Sequence, residues 1–234
     1  MKPKSPTIPK KISSEQLFIN GLLDIQFGFE NPSHIQYLKN LSKSVPWAKN
    51  WPEDREAFWN AESWGWDYKI NPVQRSIITS ELKFLNSGCK NLDLGCGSYS
   101  YILSVGLDIS PKMLDQNSNC YTAVKEDLET KLPFTSNSFD SATAVFVLNY
   151  VKKYKGLLAE IKRILCPSGV LMVVLSAIGV NDWQKQKQTT AFSHSEWLKI
   201  LSTAGFLVNY YRKDNLAFFK CVSEPSPAKN LLKV

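Results

Sequence analysis

From Asn91 to Leu175, short runs of apolar, β-favouring residues alternate with stretches of helical period, and this alternation restricts the fold more than anything else in the chain. The β-rich runs are Asn91 to Leu94, Val105 to Ile109, Tyr121 to Val124, Ser141 to Leu148 and Val170 to Leu175, with a helix from about Tyr154 to Leu165 before the last. Strands this apolar are buried on both faces, so the pattern predicts an α/β domain: a mostly parallel sheet covered by helices on each side. Toward the C-terminus, Ser193 and Ser195 precede a helix through about Ala204, and Gly205 ends it. Phe206 to Arg212 and Leu216 to Val222 then read as two strands joined by the tight turn Lys213-Asp214-Asn215. The prediction is a seven-stranded sheet whose last two strands form an antiparallel hairpin.

The chemistry-bearing feature closes the first strand. Asp93-Leu94-Gly95-Cys96-Gly97-Ser98 stands where a doubly wound, Rossmann-like sheet binds its cofactor. Gly95 and Gly97 allow backbone to approach a ligand closely, because a side chain there would fill the ligand's space. The acidic Asp93 argues against a dinucleotide: a carboxylate repels pyrophosphate and attracts the ammonium of a methionine moiety. The second strand ends Val105-Gly106-Leu107-Asp108-Ile109, which places Asp108 to accept hydrogen bonds from ribose hydroxyls. Asp127 follows the third strand in Glu126-Asp127-Leu128, in position to accept from an adenine amino group. One acidic residue in a loop means little, but three at successive strand ends, together with the glycines, describe one crevice.

These phrases resemble the class I S-adenosylmethionine-dependent methyltransferases, in particular the ubiquinone/menaquinone-biosynthesis-like (methyltransferase type 11) group. The resemblance runs from about Cys89 to Val222 through "LDLGCG", "VGLDISPKML", "EDLETKLPFTSNSFDSATAVFVLNYV", "EIKRILCPSGVLMVV" and "SHSEWLKILSTAGF". It implies that Asp93, Gly95 and Gly97 hold the methionine end of S-adenosyl-L-methionine, Asp108 the ribose, and Asp127 with Leu128 the adenine. It also implies that Ile109 and Met113 flank the adenine ring, with core packing as their alternative use. Asn149 and Tyr150, just past the fourth strand, take the position that faces the methyl group and the acceptor. The chain departs from the family in two places. Tyr99 stands where a third glycine is usual, and only Ser98 to Ser104 separate Gly97 from the next strand, so the first crossover helix is expected to shrink to a turn.

The first third of the chain lies outside these motifs. Ser13-x-x-Gln16 has capping-box form and opens a helix to about Gly28, and Asn31-Pro32 starts another toward Ser44. Trp47, Trp51, Trp59, Trp64 and Trp66 crowd the segment from Pro46 to Trp66, as rings that either fill a core or line a recess. Asn71-Pro72 then caps a helix with Ile78, Leu82 and Leu85 on one face, ended by Gly88. The expected organisation is a flexible basic tail over 1–12, a helical, Trp-rich extension over 13–70 serving as substrate cap, the cofactor-binding domain over 71–223, and a C-terminal tail over 224–234. Within it, Trp64, Trp66, Tyr68 and Tyr99 are candidates for substrate contact, and Arg75 for the cofactor carboxylate.

A sulfonium cofactor carries its own activation, so the protein must hold a nucleophile in line and exclude water. With only two histidines and no nucleophile-elbow motif, the sequence suits that requirement. His194, in the loop leading to the last helix, and Tyr150 are the candidates for proton handling, His194 having an exposed helix start as its alternative. Five cysteines without a C-x-x-C pair suggest neither a disulfide framework nor a zinc site. The apolar stretch from Val170 to Val180 is too short to span a bilayer, and the basic, proline-broken N-terminus lacks a secretory core, so a cytoplasmic protein is expected. A small-molecule acceptor is the leading expectation. The net charge of +7 keeps RNA in view, as for a wobble-uridine tRNA methyltransferase. Tyr99 keeps a non-catalytic, cofactor-binding regulatory subunit in view.

Overall fold

The computed structural model describes residues 12–28, 31–86, 89–177, 185 and 187–223. The expected tails, apart from Ile12, and the helix stop at Gly88 lie outside the described residues. The chain divides into two compact units, Met1–Trp66 and Asp67–Val234.

The first unit is built from α1 (Ser14–Gln26), α2 (Pro32–Ser42) and α3 (Arg55–Glu62), with α4 (Trp66–Lys69) beginning at its end. Ser13, Asn31 and Asp54 cap the three longer helices through their side-chain oxygens, satisfying N–H groups that have no partner inside the helix. At Ser13 only half of the predicted box forms, because the Gln16 side chain turns to Asn20 instead. Phe18 sits at the centre of an aromatic cluster, 5.6 Å from Trp47 and 5.4 Å from Trp51 between ring centroids. Trp59 meets both Phe58 and Trp66 edge-on. Trp51 is therefore core, whereas Trp64 keeps 37 % of its surface exposed.

In the second unit, α5 (Pro72–Leu82) leads into β1 (Asn91–Leu94), β2 (Ser104–Asp108), α6 (Pro111–Gln116), β3 (Cys120–Lys125), β4 (Phe139–Val145), α7 (Tyr154–Ile164) and β5 (Leu165–Ser176). It ends with α8 (His194–Thr203), β6 (Phe206–Lys213) and β7 (Leu216–Ser223). The seven strands lie in the order β3-β2-β1-β4-β5-β7-β6. β1 to β5 run parallel, and β7 pairs antiparallel with both β5 and β6, giving the mixed sheet read from the sequence. The hairpin turn is tighter than predicted. Lys213 pairs with Leu216, leaving Asp214 and Asn215 as the loop, with Asp214 at φ 51°. β5 starts earlier than predicted, directly after α7, because Cys166 to Gly169 are taken up as an irregularity between the Phe139–Leu165 and Ser141–Val170 pairs.

Strand alternation separates the faces. Leu92, Leu94, Val105, Leu107, Ala142 and Ala144 belong to one cluster with Leu158 and Ile161 of α7 and Trp197 and Leu201 of α8. The opposite face carries Met172, Val174, Leu216 and Phe218, covered by Ile78 and Leu82 of α5 and by Tyr101 and Ile102. The last two belong to the connection between β1 and β2, which contains no helix, as the short spacing requires. α8 is fixed by a full capping box between Ser193 and Glu196.

Ile161 is fully buried under the sheet. Ile161→Ala should lower the unfolding free energy by about 2–5 kcal/mol in chemical denaturation. A loss below about 1 kcal/mol would mean that α7 is not packed as described.

Candidate functional site

Asp93 and Asp108 occupy the same face of adjacent parallel strands. Asp93 pairs in register with Gly106, so Asp108 stands one pleat repeat further toward the strand ends. Both are almost completely enclosed, at 4 % and 8 % exposure. Burial pushes each carboxyl up to about 6, because the charged form loses hydration that the protein only partly replaces. Ser100 and Thr143 oppose the shift at Asp93, with the Thr143 hydroxyl donating at 2.7 Å. At Asp108 the opposing donors are backbone N–H groups, Ser110 at 2.8 Å and Gly97 at 2.9 Å.

The bond from Gly97 matters for shape as well as charge, since it ties the glycine loop to the end of β2. Gly95 and Gly97 both adopt positive φ, 61° and 57°, which L side chains rarely do. At Gly95 the space a Cβ would need is taken by Val147, so there the close approach is made by a protein side chain. Gly106 is glycine for a similar reason: a Cβ would collide with the Cys120 and Cys96 sulfurs. The loop lacks helical hydrogen bonds, and Asn117 replaces them. Its amide donates to the Gly97 carbonyl at 3.0 Å and the Ser100 hydroxyl at 3.1 Å, and its carbonyl accepts from Ser100 N–H at 3.2 Å. Asn119 adds a bond of 2.7 Å to the Ser100 carbonyl.

Beneath Asp93 runs a buried polar ladder. The Asn91 amide donates to Ser104 at 2.8 Å and Thr143 at 3.1 Å, while its carbonyl accepts from Ser141 at 2.8 Å. Thr143 then passes the chain on to Asp93. Polar groups this deep are tolerated because each is paired. Neither this ladder nor Asn117 stands out in the sequence, where Asn, Ser and Thr read as ordinary turn or strand residues.

The remaining candidates fall into distinct places. Asp127 follows β3, so the three acidic residues lie at the ends of neighbouring strands β1, β2 and β3. One Asp127 carboxylate oxygen accepts from Glu129 N–H at 2.8 Å, and Leu128 packs against the core. Ile109 is half-buried, and Met113 is fully buried with its N–H bonded to Ser110. Arg75 of α5 lies over the Tyr99 ring, 4.6 Å from its centroid, and pairs with Asp67 at 3.1 Å. The Ser98 hydroxyl donates to that same carboxylate at 2.9 Å, an organising role for Asp67 that sequence reading missed. Asn149 and Tyr150 form a short 3₁₀ turn after β4, with the Asn149 carbonyl oxygen of the side chain accepting from Trp197 at 3.0 Å. His194 is half-buried at the start of α8. Its ring lies against Tyr210 and Phe219, on β6 and β7, and β7 stands three strands from β1. Trp64 and Trp66 are in the first unit and Tyr68, 90 % exposed, is in the second. A cavity of about 630 Å³ lined by Tyr154, Leu158, Phe192, Glu196, Lys199 and Ile200 holds none of the candidates. Among the described residues there is no group of three or more potential metal ligands of the His, Cys, Asp and Glu types, and no helix long and apolar enough to cross a membrane.

The architecture is the Rossmann-like fold of solved methyltransferase structures. Residues 92–173 match the family model described as a methyltransferase domain. A demethylmenaquinone methyltransferase of Staphylococcus epidermidis is 31% identical over 122 residues, covering 45% of this chain and 50% of the relative. The chain thus spans about half the length of such curated relatives. Among solved structures, the methyltransferase in complex with the Trm112 methyltransferase activator of Haloferax volcanii superposes with TM-score 0.59 at 18% identity, covering 73% of this chain and 96% of that one. DhpI in complex with SAH gives TM-score 0.58 at 16% identity, covering 74% and 97%. At these identities the two structures establish the shared fold.

The raised carboxyls fix a pH dependence. Each has a folded value near 6 against about 3.9 in the unfolded chain, so the folded state binds more protons between those limits. Their contribution to stability is therefore greatest below pH about 4 and falls as pH rises through 6, by about 3 kcal/mol for each group. Denaturation of the ligand-free protein across this range should show a shallower fall for Asp93→Asn than for wild type. Identical slopes would contradict the burial described.

Proposed function

We propose that this chain binds S-adenosyl-L-methionine at the ends of β1 to β3 and catalyses methyl transfer to a small-molecule acceptor with an apolar body. The observation that carries the reading is the pair of buried carboxylates, Asp93 and Asp108, beside a loop whose two glycines adopt positive φ. A buried anionic notch attracts a cationic amino acid and repels phosphate-bearing nucleotides. The residues fit the ligand's chemistry, since each carboxylate accepts few bonds from the protein and keeps acceptor capacity for an ammonium or ribose hydroxyls.

In this reading Asp93, with the Gly95–Gly97 backbone, holds the amino-acid end, Asp108 holds the ribose, and Asp127 with Leu128 receives the adenine, beside Ile109 and Met113. The bound cofactor supplies an electrophilic methyl group on sulfur. The protein's contribution is then orientation and exclusion of water, which needs no covalent enzyme intermediate. Asn149, anchored by Trp197, precedes Tyr150 in the turn after β4, the strand next to β1, and Tyr150 is the residue assigned to orient the acceptor. We assign the proton-handling role, where the acceptor needs one, to Tyr150 in preference to His194, whose ring is engaged across β6 and β7. Within the second unit, Tyr68 and Tyr99 remain the proposed acceptor contacts. The likeness to a demethylmenaquinone methyltransferase favours a quinol-like ring over a polar metabolite. The net charge of +7 favours tRNA as the second reading.

Incubation with methyl-labelled cofactor, a panel of quinols and other apolar phenols, and bulk tRNA separates these readings. Label in an organic-extractable small molecule is expected. Label confined to RNA, with binding that weakens steeply with salt, would replace the acceptor class. Tight cofactor binding without transfer to anything would leave a regulatory subunit. Calorimetry supplies a second check: S-adenosylmethionine affinity should fall below pH about 6, by up to tenfold per pH unit for each carboxylate that must ionise. Heat with NAD and none with S-adenosylmethionine or S-adenosylhomocysteine would overturn the cofactor assignment.

A further inference from the structure

Among the described residues one buried side-chain polar atom has no hydrogen-bond partner, the hydroxyl oxygen of Tyr101. Tyr101 is only 7 % exposed, and its ring packs in the cluster formed by Ile78, Leu82, Met172 and Phe218. Phenylalanine would supply the same packing without the penalty of an unpaired buried hydroxyl, so packing does not account for the phenol.

The surroundings say what the hydroxyl faces. Tyr101 belongs to the loop between β1 and β2 that carries Gly95 and Gly97. Its ring meets Tyr99 edge-on at 5.3 Å, and the Arg75 guanidinium lies 4.6 Å from the centre of the Tyr99 ring on its face. The charges that act on the Tyr101 hydroxyl are those of Arg75, Asp93 and Asp67. Burial holds the phenol well above its ordinary range, so the group is a donor at every working pH. A neutral donor in the field of a guanidinium and of a carboxylate suited to an ammonium matches an α-amino acid: the carboxylate end toward Tyr101 and Arg75, the ammonium end toward Asp93.

We propose that the Tyr101 hydroxyl donates a hydrogen bond to the carboxylate of the cofactor's methionine moiety, making Tyr101 a cofactor-binding residue. Arg75 contributes charge at longer range while remaining paired with Asp67. The inference rests on the reading of this site as an S-adenosylmethionine site and deepens it.

The test compares wild type with Tyr101→Phe for two ligands by calorimetry, and for ligand-free thermal stability. S-adenosylhomocysteine carries the amino-acid carboxylate; 5′-methylthioadenosine keeps the nucleoside and sulfur and lacks the amino acid. The expected result is S-adenosylhomocysteine binding weakened about tenfold, in line with loss of a hydrogen bond to a charged group, with 5′-methylthioadenosine binding unchanged within about twofold. The ligand-free variant should melt at the same temperature as wild type or higher, since it loses an unpaired buried group. Unchanged S-adenosylhomocysteine affinity overturns the proposal, and so does equal weakening of both ligands, which would indicate general distortion of the site. A wild-type protein that binds neither ligand overturns the cofactor reading itself, a result separable from failure of the Tyr101 assignment alone.

Discussion

Two carboxylates buried on one face of adjacent parallel strands set the terms for the rest of the second unit. An isolated ionised carboxylate in a protein interior is costly enough to shift its own protonation, and both Asp93 and Asp108 show that shift. The surrounding structure moderates the cost without removing it. Thr143 and the ladder below it serve Asp93, and backbone N–H groups from the glycine loop and the start of α6 serve Asp108. Enough electrostatic demand is left over for a cation or a polyhydroxyl ligand to satisfy. A site of this kind is poised by incomplete compensation, which is the usual relation between strain in a fold and function at that place.

The missing first crossover helix follows from the same loop. A parallel connection normally carries a helix that covers the sheet and saturates its own backbone. Here α5, Tyr101 and Ile102 provide the cover, and the side chains of Asn117 and Asn119 provide the hydrogen bonds. On β2, Gly106 has no room for a side chain beside the Cys96 and Cys120 sulfurs. Tyr99 belongs to this arrangement. Its ring forms a platform between Arg75 and Tyr101.

What the sequence made legible was whatever depends on period and on local punctuation. The strands recur as apolar runs, Asn31, Asn71 and Ser193 cap helices, and Gly205 ends one at φ 84°. Asp93 and Asp108 were legible because a glycine loop and a strand end fix where their carboxylates must go. Asp67, Asn117 and Tyr101 were not, because their significance depends on neighbours distant in sequence: Asp67 reaches Ser98, Asn117 reaches Gly97, and Tyr101 lacks a partner only once the fold is closed. The early start of β5 was hidden for a related reason. Pro167-Ser168-Gly169 reads locally as a turn, whereas pairing with β4 absorbs it as an irregularity. The ring contacts of His194 with Tyr210 and Phe219 were likewise hidden, because they depend on strands that follow it in the chain.

Charge acts in this molecule at two ranges, and the two have opposite sign. The chain carries net charge +7, yet the notch between β1 and β2 is lined by acids. Over the surface, interactions between exposed charges are screened beyond about 8–10 Å at physiological salt, so the overall balance governs encounter with polyanions and not the selection of a bound nucleoside. Inside the notch, where solvent is excluded, screening is weak and the sign of the nearest groups decides. A polyanion drawn to the surface is therefore still unsuited to the notch, whereas a cationic group repelled weakly by the whole chain is favoured there. The net charge and the buried carboxylates thus answer different questions: the first concerns what approaches the protein, the second what stays.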